Sequence, residues 1–452
     1  MIKKILSYSV VEGVSKALNK GVLFSLPLLL ITTEFGKVGI LVTFELLFPV
    51  VLLLGLDRCV LRFHKDSEGD TPIIPTILTS VIAMHVLAAV LLLVGSWAGY
   101  DIFFGISVAP DMFLLIGLSL LQGIILINLN ALRVEGNHKA YFTFRLLFQV
   151  LKFTLIFLLV FSSIGYLSYV IGGILAALVV MIFIYKKLKS DFKLSFNSNV
   201  FISLLGFSWP FVFHGVAGNI LGNVDKLIIQ AKLSTEDVGV YTFAYAVGSA
   251  IAFGFIGLSV YFEPLIYKEH DDKMRKNLLQ SFLSVGLLIG LSLFLIISLV
   301  SVWVLPTFYS DNYSRSFELI PIIAAGHLFM PFYLISNYEF IYHKRTLNIA
   351  IISIVCSVIN IALNLYLIPR LGIIAAAYTT IATYILMAIV FSAENYRFAK
   401  RIDFAATAKF AVMAVALFNF IYFEINVILF YLITAGAIII MSRKPLKKLV
   451  TQ

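Results

Sequence analysis

Apolar residues run through this chain in blocks of about twenty, and the polar residues between them fill loops of roughly sixteen residues at most. A helix of about 20 apolar residues, rising ~1.5 Å per residue, crosses a hydrocarbon core ~30 Å thick. The pattern predicts about fourteen membrane spans, at 9–31, 38–56, 73–97, 112–131, 142–163, 164–185, 203–223, 239–262, 279–304, 318–341, 347–368, 371–392, 405–423 and 426–441. No loop is long or polar enough to form a soluble domain. The expected class is therefore an all-α polytopic membrane protein, and any chemistry belongs in a cavity between helices.

Composition agrees with that pattern: 61% of residues are hydrophobic and 13% charged. The net charge of +10 would suggest nucleic acid in a soluble protein, but its placement points elsewhere. Lys and Arg gather in alternate loops, among them Arg58, Arg62 and Lys65; Lys186, Lys187, Lys189 and Lys193; Lys268, Lys273, Arg275 and Lys276; and Arg397, Lys400 and Arg401. The intervening loops hold only Lys37, Lys226, Lys232, Arg315 and Arg370. Short basic loops stay in the cytoplasm, which puts both termini inside and assigns the surplus to topology rather than nucleic acid. The first apolar segment carries Glu12, Lys16 and Lys20 and has no small-residue cleavage site, so it reads as a span, not a signal peptide. Cys59 and Cys356 suggest neither a disulfide framework nor a metal site. No phosphate loop, metal-ligand spacing or nucleophile signature is present, so no catalytic site and no cofactor is expected.

The chain also echoes itself at an interval of about 202 to 207 residues. Thr32-Thr33-Glu34 returns as Ser234-Thr235-Glu236, Gly55-Leu56 as Gly257-Leu258, His138-Lys139 as His343-Lys344, and Gly165 as Gly372. Six spans per copy is an even number, so both copies lie the same way up, related by an axis along the membrane normal. This predicts two pseudo-symmetric six-helix lobes around a central cavity, residues 1–190 and 191–395, with two further helices and a cytoplasmic tail over 396–452 that look like an appendage.

Charges at a helix centre cost about 2.5–3.5 kcal/mol on insertion scales, so a cluster of them calls for an explanation. Glu12, Lys16 and Lys20 stack on one face of the first span, and Arg145, Gln149 and Lys152 on one face of the fifth. Lys152 lies about ten residues, or roughly 15 Å, from its helix entry, with no acidic residue within a turn. Lys16, Lys20, Arg145, Gln149 and Lys152 are the candidate lining of a basic, wet cavity suited to an anionic group. Internal pairing is the competing explanation, with Glu12 neutralising Lys16. Glu12 and Glu45 are the candidate ion-coupling sites, Glu45 being equally a partner for Lys20. Lys409, near the start of its span, is explained by snorkelling. His85, His214 and His327 read as hydrogen-bonded packing residues, and Asn128, Asn130, Asn219 and Asn223 as interhelical hydrogen bonds. Pro27, Pro210 and Pro331 fall within spans and predict bends.

Two stretches carry a family likeness. Asp225-Lys226-Leu227-Ile228-Ile229, with Leu233-Ser234-Thr235-Glu236 and Val238-Gly239-Val240-Tyr241 after it, resembles the polysaccharide flippase pattern at the outer end of the seventh helix. Val358 to Asn364, followed by Leu367-Ile368-Pro369 and Leu371-Gly372-Ile373, resembles that family's eleventh-to-twelfth helix signature. The family is the O-antigen and exopolysaccharide flippases of the Wzx type, in the superfamily shared with multidrug and toxin extruders and the lipid II flippase. The resemblance implies translocation of an undecaprenyl-pyrophosphate-linked oligosaccharide across a bacterial inner membrane, with a polysaccharide polymerase and a chain-length regulator as candidate partners. Asp225, Asn360, Asn364, Pro369 and Gly372 match motif positions, and their spacing suits lobe architecture as well as substrate contact. An ion-coupled exporter of drugs or small amphiphiles from the same superfamily is the rival reading; it favours acidic cavities, whereas the deep charges here lean basic. A membrane-bound polymerase or ligase would need a larger external loop than any here.

Overall fold

A computed structural model describes residues 2–63, 73–162, 164–187, 194–399, 404–422 and 427–450. The helices are α1 (Ile2–Ser25), α2 (Thr32–Leu52), α3 (Leu56–Phe63), α4 (Ile73–Trp97), α5 (Phe113–Val134), α6 (His138–Val160), α7 (Ser168–Lys187), α8 (Ser198–Lys232) and α9 (Thr235–Gly248). They continue as α10 (Ala252–Lys268), α11 (Asp272–Trp303), α12 (Leu305–Phe308), α13 (Ser314–His327), α14 (Met330–Tyr342), α15 (Thr346–Leu371), α16 (Ile373–Ala399), α17 (Phe404–Tyr422) and α18 (Val427–Val450). Eleven segments among the described residues are long and apolar enough to cross a membrane, and they fall on the second to twelfth expected spans. Helix α1 holds the place of the first, and α17 and α18 those of the last two. A small hairpin departs from the all-helical expectation: β1 (Ile102–Phe103) pairs antiparallel with β2 (Ile106–Ser107) in the loop after α4.

Helix boundaries follow local chemistry. Asn137, Asn197 and Asp271 cap α6, α8 and α11 by accepting from the main-chain N–H of Ala140, Val200 and Met274. Gly372, at φ +73°, ends α15 in a conformation that other residues adopt only under strain. The prolines divide. Pro27 sits in a 3-10 turn that closes α1, and Pro331 in the first turn of α14, where its missing N–H leaves no vacancy in the ladder. Pro210 alone of the three lies inside a helix, α8. The expected tenth span is in fact two helices, α13 and α14, broken at Leu328 and Phe329.

By its packing the chain divides into Met1–Thr242 and Phe243–Gln452. This division falls beyond residue 190, where the repeat places a lobe boundary, because α8 packs on α2, α3 and α4. In the first unit, Leu129, Phe144, Phe148, Ala177 and Val180 seal α5, α6 and α7 together. A second core joins α3, α4, α5 and α8 through Leu56, Cys59, Ile77, Ile127 and Leu204. Burial pushes the Cys59 thiol up to about 11, so it behaves as an inert packing group.

In the second unit, α11 is the central element, in contact with α10, α13, α14 and α18. The last two helices are no appendage to it. Met413 on α17 and Phe430, Ala435 and Ile438 on α18 share one buried core with Leu291 and Phe294 of α11. Lys409 does not snorkel either. It is fully buried, and its ammonium donates to Ser284 Oγ on α11 at 2.7 Å. Proximity to a span end suggested an exposed lysine, but packing of α17 against α11 encloses that end.

Candidate functional site

The deepest expected cation is not left alone. Lys152 on α6 is 2% exposed, and its ammonium lies 2.5 Å from Glu45 Oε1 on α2. Gln122 on α5 donates to the same oxygen at 2.6 Å, and the Tyr169 hydroxyl on α7 donates to Glu45 Oε2. The ammonium also sits 4.6 Å from the centre of the Tyr169 ring. Four helices thus meet at one carboxylate. Two charges removed from water persist when each is paired and its remaining lone pairs and protons are hydrogen-bonded, and this cluster meets those terms. Glu45 therefore pairs with Lys152, not with Lys20 as the sequence had offered. No acid stands within a turn of Lys152 because its partner comes from 107 residues earlier in the chain. Gln149 is buried one turn before Lys152, and Arg145 is partly buried on the same face.

On α1, Lys16 is exposed and Lys20 partly buried. The side chains of Glu12 and His214 lie outside the described residues, as do basic loop positions such as Lys65, Lys189 and Arg401. Lys226 is where sequence reasoning was wrong. Expected in an external loop, it stands inside α8, is 3% exposed, and donates to Asn223 Oδ1 at 2.9 Å. The signal was available: no Gly or Pro interrupts the chain between Val224 and Lys232, so α8 runs on. Lys20 on α1 and Lys226 on α8 are thus two cations of the first unit, the one half-buried and the other buried. Asp225 supplies a carboxylate next to Lys226 and also reaches α9. Its carboxylate accepts from the Tyr241 hydroxyl and from the Lys226 main-chain N–H.

Where α2 and α9 begin, their backbones touch. A Cβ on Gly36 would overlap the main-chain carbonyl of Thr235, and one on Gly239 would overlap that of Thr32. One turn further along α2, Gly39 meets the Thr242 side chain in the same way. The contact is reciprocal, and it joins the starts of the helices that follow the repeated Thr-Glu segments. Only residues without side chains permit this approach.

The remaining motif positions bind helices to each other. Asn360 donates to Thr383 Oγ1 at 2.8 Å, Asn364 donates to Asn360 Oδ1 at 3.0 Å, and Thr379 donates to Asn364 Oδ1 at 2.5 Å. All four side chains are buried, and the chain of bonds fastens α15 to α16. Pro369 lies inside the last turn of α15, and Gly372 caps its end. His85 contacts Val81 O and Ser119 Oγ, and His327 contacts Ile323 O and, at 3.5 Å, the Tyr384 hydroxyl, both packing arrangements. Of the asparagines expected to bridge helices, Asn130 does so, donating to Asp57 O on α3 at 3.0 Å. Asn128 and Asn219 instead donate to carbonyls one turn back in their own helices, and Asn223 accepts from Lys226. Among the described residues, no group of three or more His, Cys, Asp or Glu side chains gathers to hold a metal ion.

The profile of a family described as "Polysaccharide biosynthesis protein" matches residues 26–318. A curated relative, "Lsg locus putative protein 1" of Haemophilus influenzae, is 25% identical over 188 residues, 40% of this chain. That match spans 46% of the relative, just under half its length. Among solved structures, the lipid II flippase MurJ in an inward closed conformation superposes with a TM-score of 0.69 at 15% identity, over 97% of this chain and 99% of that one. An inward-facing multidrug resistance MATE family transporter of the MOP superfamily gives 0.63 at 13% identity, over 85% and 94%. At these identities the solved structures establish a shared fold.

Proposed function

Because this chain belongs to the polysaccharide biosynthesis protein family, we propose that it is a flippase. Its cargo on this reading is an undecaprenyl-pyrophosphate-linked oligosaccharide repeat unit, carried from the cytoplasmic to the outer leaflet of a bacterial inner membrane by alternating access. The observation that carries the reading is the family match over residues 26–318, to which the buried Lys226 and the half-buried Lys20 add two cations suited to an anionic head. An ammonium group is costly in a low-dielectric site, and an anion beside it offsets that cost. A lipid diphosphate is such an anion: its head cannot cross hydrocarbon unaided, while its tail stays in it. Lys16, Arg145 and Gln149 are the further candidates for the polar path. Lys152 enters it only after leaving Glu45, so the pair is the candidate ion-coupling element, with Glu45 as the group that changes charge.

The closed contact of Gly36 and Gly239 supports an alternating mechanism. A backbone-to-backbone crossing seals one end of the helix pair and separates without breaking a side-chain network. Movement of negative charge outward across a negative-inside membrane is favourable by about 2.3 kcal/mol per charge per 100 mV, so the barrier rather than the driving force is what the protein must lower.

Proteoliposomes loaded with a lipid-linked oligosaccharide test the proposal, with outer-leaflet exposure read by enzymatic release of the sugar. Wild-type protein is expected to expose the sugar, and Lys226→Glu and Lys20→Glu to slow exposure by tenfold or more. Transport unaffected by both reversals would remove the cationic site from the mechanism. Ion-driven efflux of cationic dyes with no sugar exposure would instead establish the drug-exporter alternative.

A further inference from the structure

The segment after α2, which the sequence presents as a basic loop, is the helix α3, and it lies outside every segment long enough to cross a membrane. Leu56, Cys59 and Val60 face inward, and Arg58, Leu61 and Arg62 are exposed. A helix of this length is marginal in isolation, so tertiary contacts must hold it. Gly55, at φ +69°, turns the chain out of α2 and lies against the Ser208 carbonyl of α8. Asn130 on α5 donates to Asp57 O, and Cys59 Sγ lies 3.5 Å from Leu204 O. On this platform the Arg58 guanidinium lies over the Phe211 ring at 5.0 Å and that of Arg62 over Phe63 at 5.4 Å. Phe63 in turn meets Phe207 edge-on.

We propose that the Arg58–Arg62 face of α3 is a docking site for the phosphate headgroup of an anionic membrane lipid. Residues four apart stand on one helix face, so both guanidiniums serve one headgroup. The aromatic rings take their flat faces and fix their planes, and phosphate is recognised by the N–H edges. Leu61 stands exposed between the arginines, an apolar side chain in a basic face, as in helices that lie at a lipid interface. Loop charge assigns this end of the bundle to the cytoplasmic leaflet, where anionic lipids concentrate. A soluble anion would make no use of Leu61.

The test needs no transport, so it stands or falls separately from the flippase reading. Full-length protein in phosphatidylcholine nanodiscs is titrated with phosphatidylglycerol, and bound lipid is counted by native mass spectrometry. Arg58→Gln with Arg62→Gln is expected to weaken phosphatidylglycerol binding roughly tenfold or more, from about tenfold per 1.4 kcal/mol and ~1 kcal/mol per basic residue. Arg58→Lys with Arg62→Lys keeps the charge and loses the fork, so a smaller loss of about threefold is expected. Lys139→Gln, in the first turn of α6, is expected to leave binding unchanged. Wild-type binding in the lysine pair would overturn the headgroup fork even if the glutamine pair failed to fold. Displacement of the lipid by inorganic phosphate alone would make this a small-anion site and overturn the lipid assignment.

Discussion

The carbonyl oxygen of Thr235 occupies the space that a side chain on Gly36 would fill, and the carbonyl of Thr32 does the same to Gly239. Thr32 and Thr235 both open helices, and each glycine stands one turn inside its own. The contact is reciprocal, each helix start setting a carbonyl against the other's glycine, and it lies within the first unit.

Gly36→Ala and Gly239→Ala should each force this crossing apart. Overpacking of a close contact costs about 1–3 kcal/mol, and the closed end should open to relieve it. The expected result is a lower unfolding temperature together with faster labelling of a cysteine at Thr33 by a membrane-impermeant thiol reagent. Gly95→Ala on α4, where nothing lies within 4 Å of the added methyl, serves as the control and should change neither. Equal labelling in all three variants would refute a gating role for the crossing.

The Lys152–Glu45 pair should behave as a unit. Removing one member, as in Lys152→Met, leaves a buried carboxylate with its principal partner gone and should cost about 3–5 kcal/mol. Glu45→Gln should cost a similar amount for the opposite charge. The double variant should regain most of the loss, because two neutral groups need no mutual neutralisation. Thermal unfolding of the four proteins in one detergent measures the coupling, and additive losses would show that the pair is not an energetic unit.

What the sequence disclosed and what it concealed separate along one line. Membrane spans were legible because each depends on a local run of apolar residues. The eleven spanning segments among the described residues followed from those runs, whereas the short helix α3 and the break between α13 and α14 did not. The pairing of Glu45 with Lys152 depends on how α2 and α6 are placed side by side, which no spacing within either helix encodes. Lys226 departs for a different reason: its charge marks a loop, whereas the uninterrupted stretch from Val224 continues the helix. The asparagine pair on α15 was readable, since residues four apart share a face and Thr379 and Thr383 on α16 repeat that spacing.

That asparagine–threonine chain should matter for stability more than for transport. Interhelical hydrogen bonds within membranes average about 0.6 kcal/mol and reach ~1.7. Asn364 both donates to Asn360 and accepts from Thr379, so Asn364→Leu should cost more than Thr383→Val. Transport per folded molecule should stay near wild type in both. A transport loss that exceeds the loss of folded protein would move these residues from architecture to substrate handling.

Lys409 provides the sharpest contrast between two placements of a single charge. A snorkelling lysine reaches water, gains little from its neighbours and tolerates loss of any of them. The buried ammonium seen here donates to Ser284 across the α11–α17 contact, so Ser284→Ala should destabilise the protein by about 1–3 kcal/mol through loss of a partner to a charged group. Lys409→Met, which removes the charge and keeps the volume, should be milder than Ser284→Ala, and the double variant no worse than Lys409→Met alone. A cysteine at 409 should also resist a membrane-impermeant thiol reagent until the protein is unfolded. A harmless Ser284→Ala combined with rapid labelling at 409 would return this lysine to the membrane surface and detach α17 from the core of the second unit.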